Sequence, residues 1–181
     1  MLRWLPTAFN KLIEPKYALI DLYPPSQRQQ IDDVTPWIQS LINTGVYRAG
    51  FARTQADYEA GVVPLFAALN KLEALVAKNG GPYILGEELT ELDLRVYATI
   101  VRFDVVYVQH FKTDLGTIRH AYPVLNNWLK GVFWKVEGFK DSTEFRHIKE
   151  NVSSSFFWAF QWRDRRRALY ADYELVYEEP C

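Results

Sequence analysis

Residues 91–111 constrain the fold more than any other stretch of the chain. Thr90 is a strong N-cap, and Asp93 stands three residues on, where its carboxylate can accept the amide hydrogen of Thr90 in return. Behind this start come Leu92, Leu94, Val96, Tyr97, Ala98, Ile100, Val101, Phe103, Val105, Val106, Tyr107 and Val108. A helix that is apolar nearly all round cannot lie against water, so the pattern predicts a central helix enclosed by others.

The remaining periodicity supplies the enclosure. After Tyr23-Pro-Pro-Ser26, the residues Ile31, Val34, Ile38, Leu41 and Ile42 recur at helical spacing, with Trp37 widening the stripe. Pro36 inside this pattern predicts a kink or a restart, and Asn43-Thr-Gly45 a break. A second long helix is expected from near Thr54, on Tyr58, Val62, Leu65, Phe66, Leu69, Leu72, Leu75 and Val76, until Asn79-Gly-Gly-Pro82 stops it. Tyr122-Pro123 opens a helix carrying Val124, Leu125, Trp128, Leu129 and Val132, and a shorter one covers Ser142 to Asn151. No strand-like alternation persists, so the class is all-α.

Residues 1–24, broken by Pro6, Pro15 and Pro24, read as an irregular lead. Residues 25–152 read as the helical domain, and 153–181 as a divergent tail. The tail sets Phe156-Phe-Trp-Ala-Phe-Gln-Trp162 before a basic run ending at Arg167. Docking on the domain or a partner and a chemically silent extension are both compatible with that pattern.

Charge and motif content remove several function classes. The net charge of −1 creates no global field toward nucleic acid or an anionic membrane. No uninterrupted apolar run approaches the roughly 20 residues that span a bilayer, and the start is too short for a secretory signal. The single cysteine, Cys181, builds neither a disulfide nor a metal cluster and is poorly placed for a nucleophile. A cytoplasmic protein is the expectation. There is no phosphate-binding glycine loop, zinc-ligand spacing or nucleophile elbow. His110, His120 and His147 lie in different segments. The residues themselves therefore suggest no catalytic group, no metal ligand and no cofactor bound by this chain alone.

Aromatic residues make up 15% of the sequence, enough to fill a core, line a pocket for a flat ligand or form a subunit interface. Two segments concentrate them. In Asn43-Thr-Gly-Val-Tyr-Arg-Ala-Gly-Phe-Ala52, Tyr47 and Phe51 sit one helical turn apart, and glycines at 45 and 50 allow bending or close approach to a ligand. In Val101-Arg-Phe-Asp-Val-Val-Tyr-Val-Gln-His-Phe-Lys112, Tyr107 and Phe111 share a face. Asp104 stands on an otherwise apolar face and needs a partner. Arg102 and Asp104 either bond neighbouring segments or meet a ligand. The candidate binding set is Tyr47, Phe51, Arg102, Asp104, Tyr107 and Phe111, brought together as a slot inside the bundle.

These two segments, with Leu89-Thr-Glu-Leu-Asp-Leu94 between them, resemble the C-terminal domain of omega-like glutathione transferases, and within them the glutathionyl-hydroquinone reductases or xi class. Asp21-Leu-Tyr-Pro24, Tyr122-Pro123 with Trp128, and His147-Ile-Lys149 also match, so the resemblance covers about residues 5–152. It implies a helical bundle normally attached to a thioredoxin-like domain that supplies the glutathione site and the catalytic cysteine. No such domain reads in this chain, so glutathione is expected only with a thioredoxin-like partner. By the resemblance, Tyr47 matches a substrate tyrosine, and Arg102, Asp104 and Tyr107 match a motif shaping the same region. The sequence departs from the family at Thr113, where a cysteine is usual, and at Glu150-Asn-Val152, where tyrosines are usual.

Three functions follow as expectations. The first is an enzyme acting on a quinone or polyphenolic aromatic, in biosynthesis or detoxification. The second is a non-catalytic binding or dimerisation module, self-associating as a homodimer. The third is a truncated pseudoenzyme lacking the glutathione site.

Overall fold

The computed structural model describes residue 3 and residues 5–155. The elements are α1 (Leu5–Ala8), α2 (Pro15–Ala18), α3 (Arg28–Trp37), a π-helical segment (Ile38–Asn43), α4 (Gly45–Gly50), α5 (Gln55–Asn79), α6 (Glu91–Arg102), a second π-helical segment (Phe103–Tyr107), α7 (Val108–His110), α8 (Ile118–Ala121), α9 (Pro123–Lys135) and α10 (Phe145–Ser155). Among the described residues there is no strand, only one isolated bridge between Tyr83 and Gly86.

The central position expected for residues 91–111 is observed. Leu92, Val96, Ile100, Phe103 and Val106 are fully buried, packed in one core with Ile31, Ile38 and Ile42, with Leu65, Leu69 and Leu72 of α5, and with Leu125 of α9. Each such side chain contributes about 1.5–3 kcal/mol relative to exposure. The enclosure is incomplete along one stripe of α6, where Arg95 and Arg102 are half-buried and Ala98 is exposed.

The start of α6 is held as its sequence predicts. Asp93 accepts from the Thr90 backbone N–H at 3.0 Å and the Thr90 hydroxyl at 3.1 Å. It also accepts from the Ile84 N–H at 2.9 Å and from the Trp128 indole N–H at 3.0 Å. The capping carboxylate thus ties α6 to the preceding loop and to α9 in one buried knot.

The interruption at Pro36 takes a particular form. Proline withdraws a donor from the preceding turn, and the helix then widens, with the Thr44 N–H donating to the Gln39 carbonyl five residues back at 3.0 Å. The same widening between Phe103 and Tyr107, closed by the Val108 N–H on the Phe103 carbonyl, breaks the continuous helix expected to residue 111. No residue in that segment accounts for it.

Three boundaries differ from expectation. The lead contains two short helices. The last helix starts at Phe145 rather than near Ser142, and it runs through Ser155, past the expected boundary at 152. Residues 156–181, with the aromatic and basic tail and Cys181, lie outside the described residues. Helix α5 is also long and apolar enough, by length and composition, to cross a membrane, a property that its interrupted apolar runs hide. Its packing against α4, α9 and the first π segment buries Val62, Leu65, Leu69, Leu72 and Val76.

Candidate functional site

Four of the six predicted site residues come together. The Tyr47 and Tyr107 hydroxyls lie 3.3 Å apart, with ring centroids 5.8 Å apart edge to face. Phe111 stacks on Tyr107 at 5.2 Å and meets Tyr47 edge-on at 5.3 Å. Phe51 closes the group, 6.2 Å from Tyr47 and 5.6 Å from Phe111. Edge-to-face and offset arrangements at these separations are the favoured ones for aromatic pairs.

Local backbone features set this cluster up. Tyr47 and Phe51 share a face because α4 places them one turn apart. Phe111 folds back under them because Gly50 lacks a side chain; a Cβ there would stand 2.3 Å from the Phe111 ring. Lys112 then leaves the helix at φ 57°, an uncommon conformation for a side chain of this size. Its carbonyl accepts the Tyr58 hydroxyl at 2.5 Å, and the Thr113 N–H returns to the Tyr107 carbonyl at 3.3 Å. The bend after Phe111 is thereby held from two sides. Gly50 serves this packing, where the sequence suggested bending or ligand approach.

The cluster is an open shelf. Tyr107 and Phe111 are buried at 4% exposure each, whereas Tyr47 is 43% and Phe51 63% exposed. Tyr107 and Phe111 thus form the inner side of the cluster, and Tyr47 and Phe51 its exposed side. Burial pushes the Tyr107 phenol up from its ordinary value, and the hydroxyl of Tyr47 adds to the shift, while the charge of Arg102 opposes it. Tyr107 therefore keeps its proton throughout the physiological range. His110, alongside, is lowered by burial and stays neutral there.

Asp104 does not reach the shelf. Its carboxylate accepts the Ile118 N–H at 2.7 Å and the Arg119 N–H at 3.0 Å, at the start of α8. Of the two roles open to it from sequence, the bonding of a neighbouring segment is the one seen. Burial raises its carboxyl against those two amide donors. Arg102 lies along α6, its guanidinium donating to the Ala98 carbonyl at 2.6 Å. Sequence reasoning passed over Tyr58. Its hydroxyl reaches Lys112 across 54 residues, and no local pattern signals such a contact. It also passed over a cleft of about 360 Å³ between Leu94, Tyr97, Glu137, Gly138, Phe139 and Ser142, which includes none of the shelf residues. Among the described residues no group of three or more His, Cys, Asp or Glu is placed to hold a metal ion.

Residues 55–131, which take in α5, the Thr90–Asp93 capping box, α6 and most of α9, match the family described as glutathione S-transferase, C-terminal domain. The chain is 46% identical over 156 residues to glutathione S-transferase omega-like 2 of Schizosaccharomyces pombe, covering 86% of this chain and 50% of that protein. The glutathione transferase Xi of Phanerochaete chrysosporium superposes with a TM-score of 0.81 at 47% identity, over 86% of this chain and 49% of that one. The Escherichia coli glutathionyl-hydroquinone reductase YqjG is 38% identical over 155 residues, 86% of this chain and 45% of its own length. Its glutathione-bound structure superposes with a TM-score of 0.75 over 83% and 46% of the two chains. The chain carries a glutathione S-transferase C-terminal domain; its homologues are omega-like glutathione transferases and glutathionyl-hydroquinone reductases, and its structural neighbours are xi-class glutathione transferases. It spans about half the length of the curated relatives it matches.

Proposed function

We propose that the outer face of the Tyr47–Phe51–Tyr107–Phe111 shelf holds the ring of a quinone or hydroquinone during a glutathione-dependent reaction. The observation that carries this reading is the pair of phenol hydroxyls 3.3 Å apart at the edge of an exposed aromatic surface. In such a pair one hydroxyl donates to the other, which leaves one phenolic proton to donate outward. That proton can bond a quinone or phenolate oxygen, and a fixed donor aimed at developing phenolate charge stabilises it more than water does. The neighbouring rings supply flat apolar contact for the ring itself.

The chemistry at glutathione sulfur lies outside this shelf, which offers no thiol. A thioredoxin-like unit, facing the shelf from a partner chain or a covalently attached domain, would bring glutathione and a nucleophilic cysteine. The chain's own residues would bind and orient the ring and hold its oxygen. Relatives that include a glutathionyl-hydroquinone reductase support this assignment.

Titrating the full chain with 1,4-naphthoquinone while following tyrosine and tryptophan fluorescence tests the reading. Saturable quenching is expected, weakened about tenfold in Tyr47→Phe, which corresponds to about 1.4 kcal/mol. No saturable quenching, or quenching indifferent to Tyr47→Phe, would leave the non-catalytic dimerisation module as the better reading.

A further inference from the structure

The charge around the shelf is lopsided, and nothing in the proposed ring binding uses it. The segments 43–53 and 101–112, which supply all four rings, contain Arg48, Arg53, Arg102 and Lys112 against a single carboxylate, Asp104. That carboxylate is committed to the Ile118 and Arg119 amides. Among the described residues none of the four cations forms an ion pair, whereas Arg3, Lys16, Arg95 and Arg146 all do. This local excess arises in a chain whose net charge is −1.

Lys112 carries the least weight, because Asp114 follows two residues later and its charge acts on Tyr58, the phenol bonded to the Lys112 carbonyl. Arg102 carries the most. It is half-buried, and among the described residues its guanidinium bonds a neutral carbonyl and no carboxylate. The neighbouring Ala98 is exposed and small, which leaves room in front of the guanidinium. Helical side chains lean toward the N-terminus, so the Tyr107 phenol is carried toward Arg102, and the guanidinium acts electrostatically on both Tyr107 and Tyr97. A half-buried guanidinium without a counterion beside a ring-binding surface matches a planar anion in a geometry that two parallel N–H donors can satisfy.

We propose that the ring held on the shelf is anionic, an aromatic carboxylate or sulfonate whose charged group meets Arg102 while Arg48 and Arg53 add long-range attraction. This rests on the shelf being a ring site at all. The competing source of negative charge is glutathione itself, through its two carboxylates, and the test separates the two.

The full chain is titrated with anthraquinone-2-sulfonate and with the neutral anthraquinone-2-sulfonamide, following intrinsic fluorescence at 50 mM and 500 mM NaCl. The sulfonate is expected to bind about tenfold tighter at low salt, with that preference shrinking at high salt. In Arg102→Gln the ratio of the two affinities is expected to fall to within about twofold of unity. Equal affinities in the unmodified chain, or an undiminished ratio in Arg102→Gln, would overturn the anionic assignment while leaving the ring site standing. Displacement of the sulfonate by millimolar glutathione would also overturn it, by giving the arginine to glutathione carboxylates. If neither quinone binds, the ring site fails and this inference with it. Should Arg102→Gln not fold, the salt dependence of the ratio in the unmodified chain still decides.

Discussion

The two ends of the central helix are built on opposite principles. At its start, Asp93 is fully buried and receives four hydrogen bonds, and Glu91 beside it, equally buried, is bonded by Arg3 at 3.1 Å and approached by Arg95 at 3.6 Å. At its far end the backbone widens into a π segment, and the buried Tyr107 is tied through its hydroxyl to that of Tyr47, which is exposed. The start binds together a loop, α6 and α9. The end holds a set of rings of which Tyr47 and Phe51 stay exposed. Stability and recognition are thus separated along one helix, which is how a site can stay open without loosening its scaffold.

The largest effect that tests this separation is expected at Asp93. Asp93→Ala strips the acceptor from four buried donors, and about 3–5 kcal/mol of stability should go with it. Urea unfolding measures this, and Asp93→Asn, which keeps one acceptor oxygen, should lose less. A loss below about 1 kcal/mol for the alanine variant would mean that the start of α6 is not the fixed end.

Next in size is overpacking behind the shelf. Gly50→Ala places a methyl carbon 2.3 Å from the Phe111 ring, and Gly61→Ala places one 2.8 Å from the Ala49 backbone nitrogen, where α5 crosses α4. Each should cost about 1–3 kcal/mol. They differ in what else they disturb. Gly50→Ala must push Phe111 out from under Tyr47 and should abolish quinone quenching, whereas Gly61→Ala reaches the shelf only through a shift of α4. Equal effects of the two on quenching would erase the distinction between scaffold and site at that end.

Smaller still is the difference between the paired phenols. Tyr107→Phe leaves Tyr47 without its partner and should cost about 1 kcal/mol in stability, because the lost hydroxyl is buried. Tyr47→Phe, at a half-exposed position, should change stability by less than about 0.5 kcal/mol while weakening the ring. If the exposed tyrosine proves the more stabilising of the two, the shelf is part of the core.

The same division explains what could be read from the sequence. The capping box, the stop at Asn79 and the break after Pro36 were legible because each is a local rule acting within a few residues. The meeting of Tyr47 with Tyr107 was legible only through the family resemblance, since 60 residues separate them. Asp104 was recognisable as an anomaly but not as the partner of Ile118 and Arg119, because a buried carboxylate advertises a need without naming its donors. Glu73, which accepts the Val124 and Leu125 amides at 2.8 Å each, gave no signal at all on the polar side of its helix. Nor did Phe103–Tyr107 hint at π geometry. Whether rings that meet leave a gap between them is decided by side-chain volume, on which spacing carries no information.

The smallest effect concerns pH, and here the two ends should pull in opposite directions. Burial raises the Asp93 carboxyl above its ordinary 3.8 despite its four donors, so between that value and the raised one the folded state holds more protons than the unfolded. Stability from this group is full below pH 3.8 and falls as pH rises through the window. Asp104, raised for the same reason, adds to it. Burial lowers His110 below its ordinary 6.5, so the unfolded chain takes up a proton first. Its contribution is intact above pH 6.5 and is lost as pH falls toward the lowered value. On acidification from pH 8, the melting temperature should first drop by a small step that His110→Gln removes. At lower pH a partial recovery should follow, and Asp93→Asn should diminish it. Thermal unfolding from pH 8 to 4 on the three proteins resolves both steps. A His110→Gln profile parallel to the unmodified one throughout would show that the open end is hydrated down to its histidine.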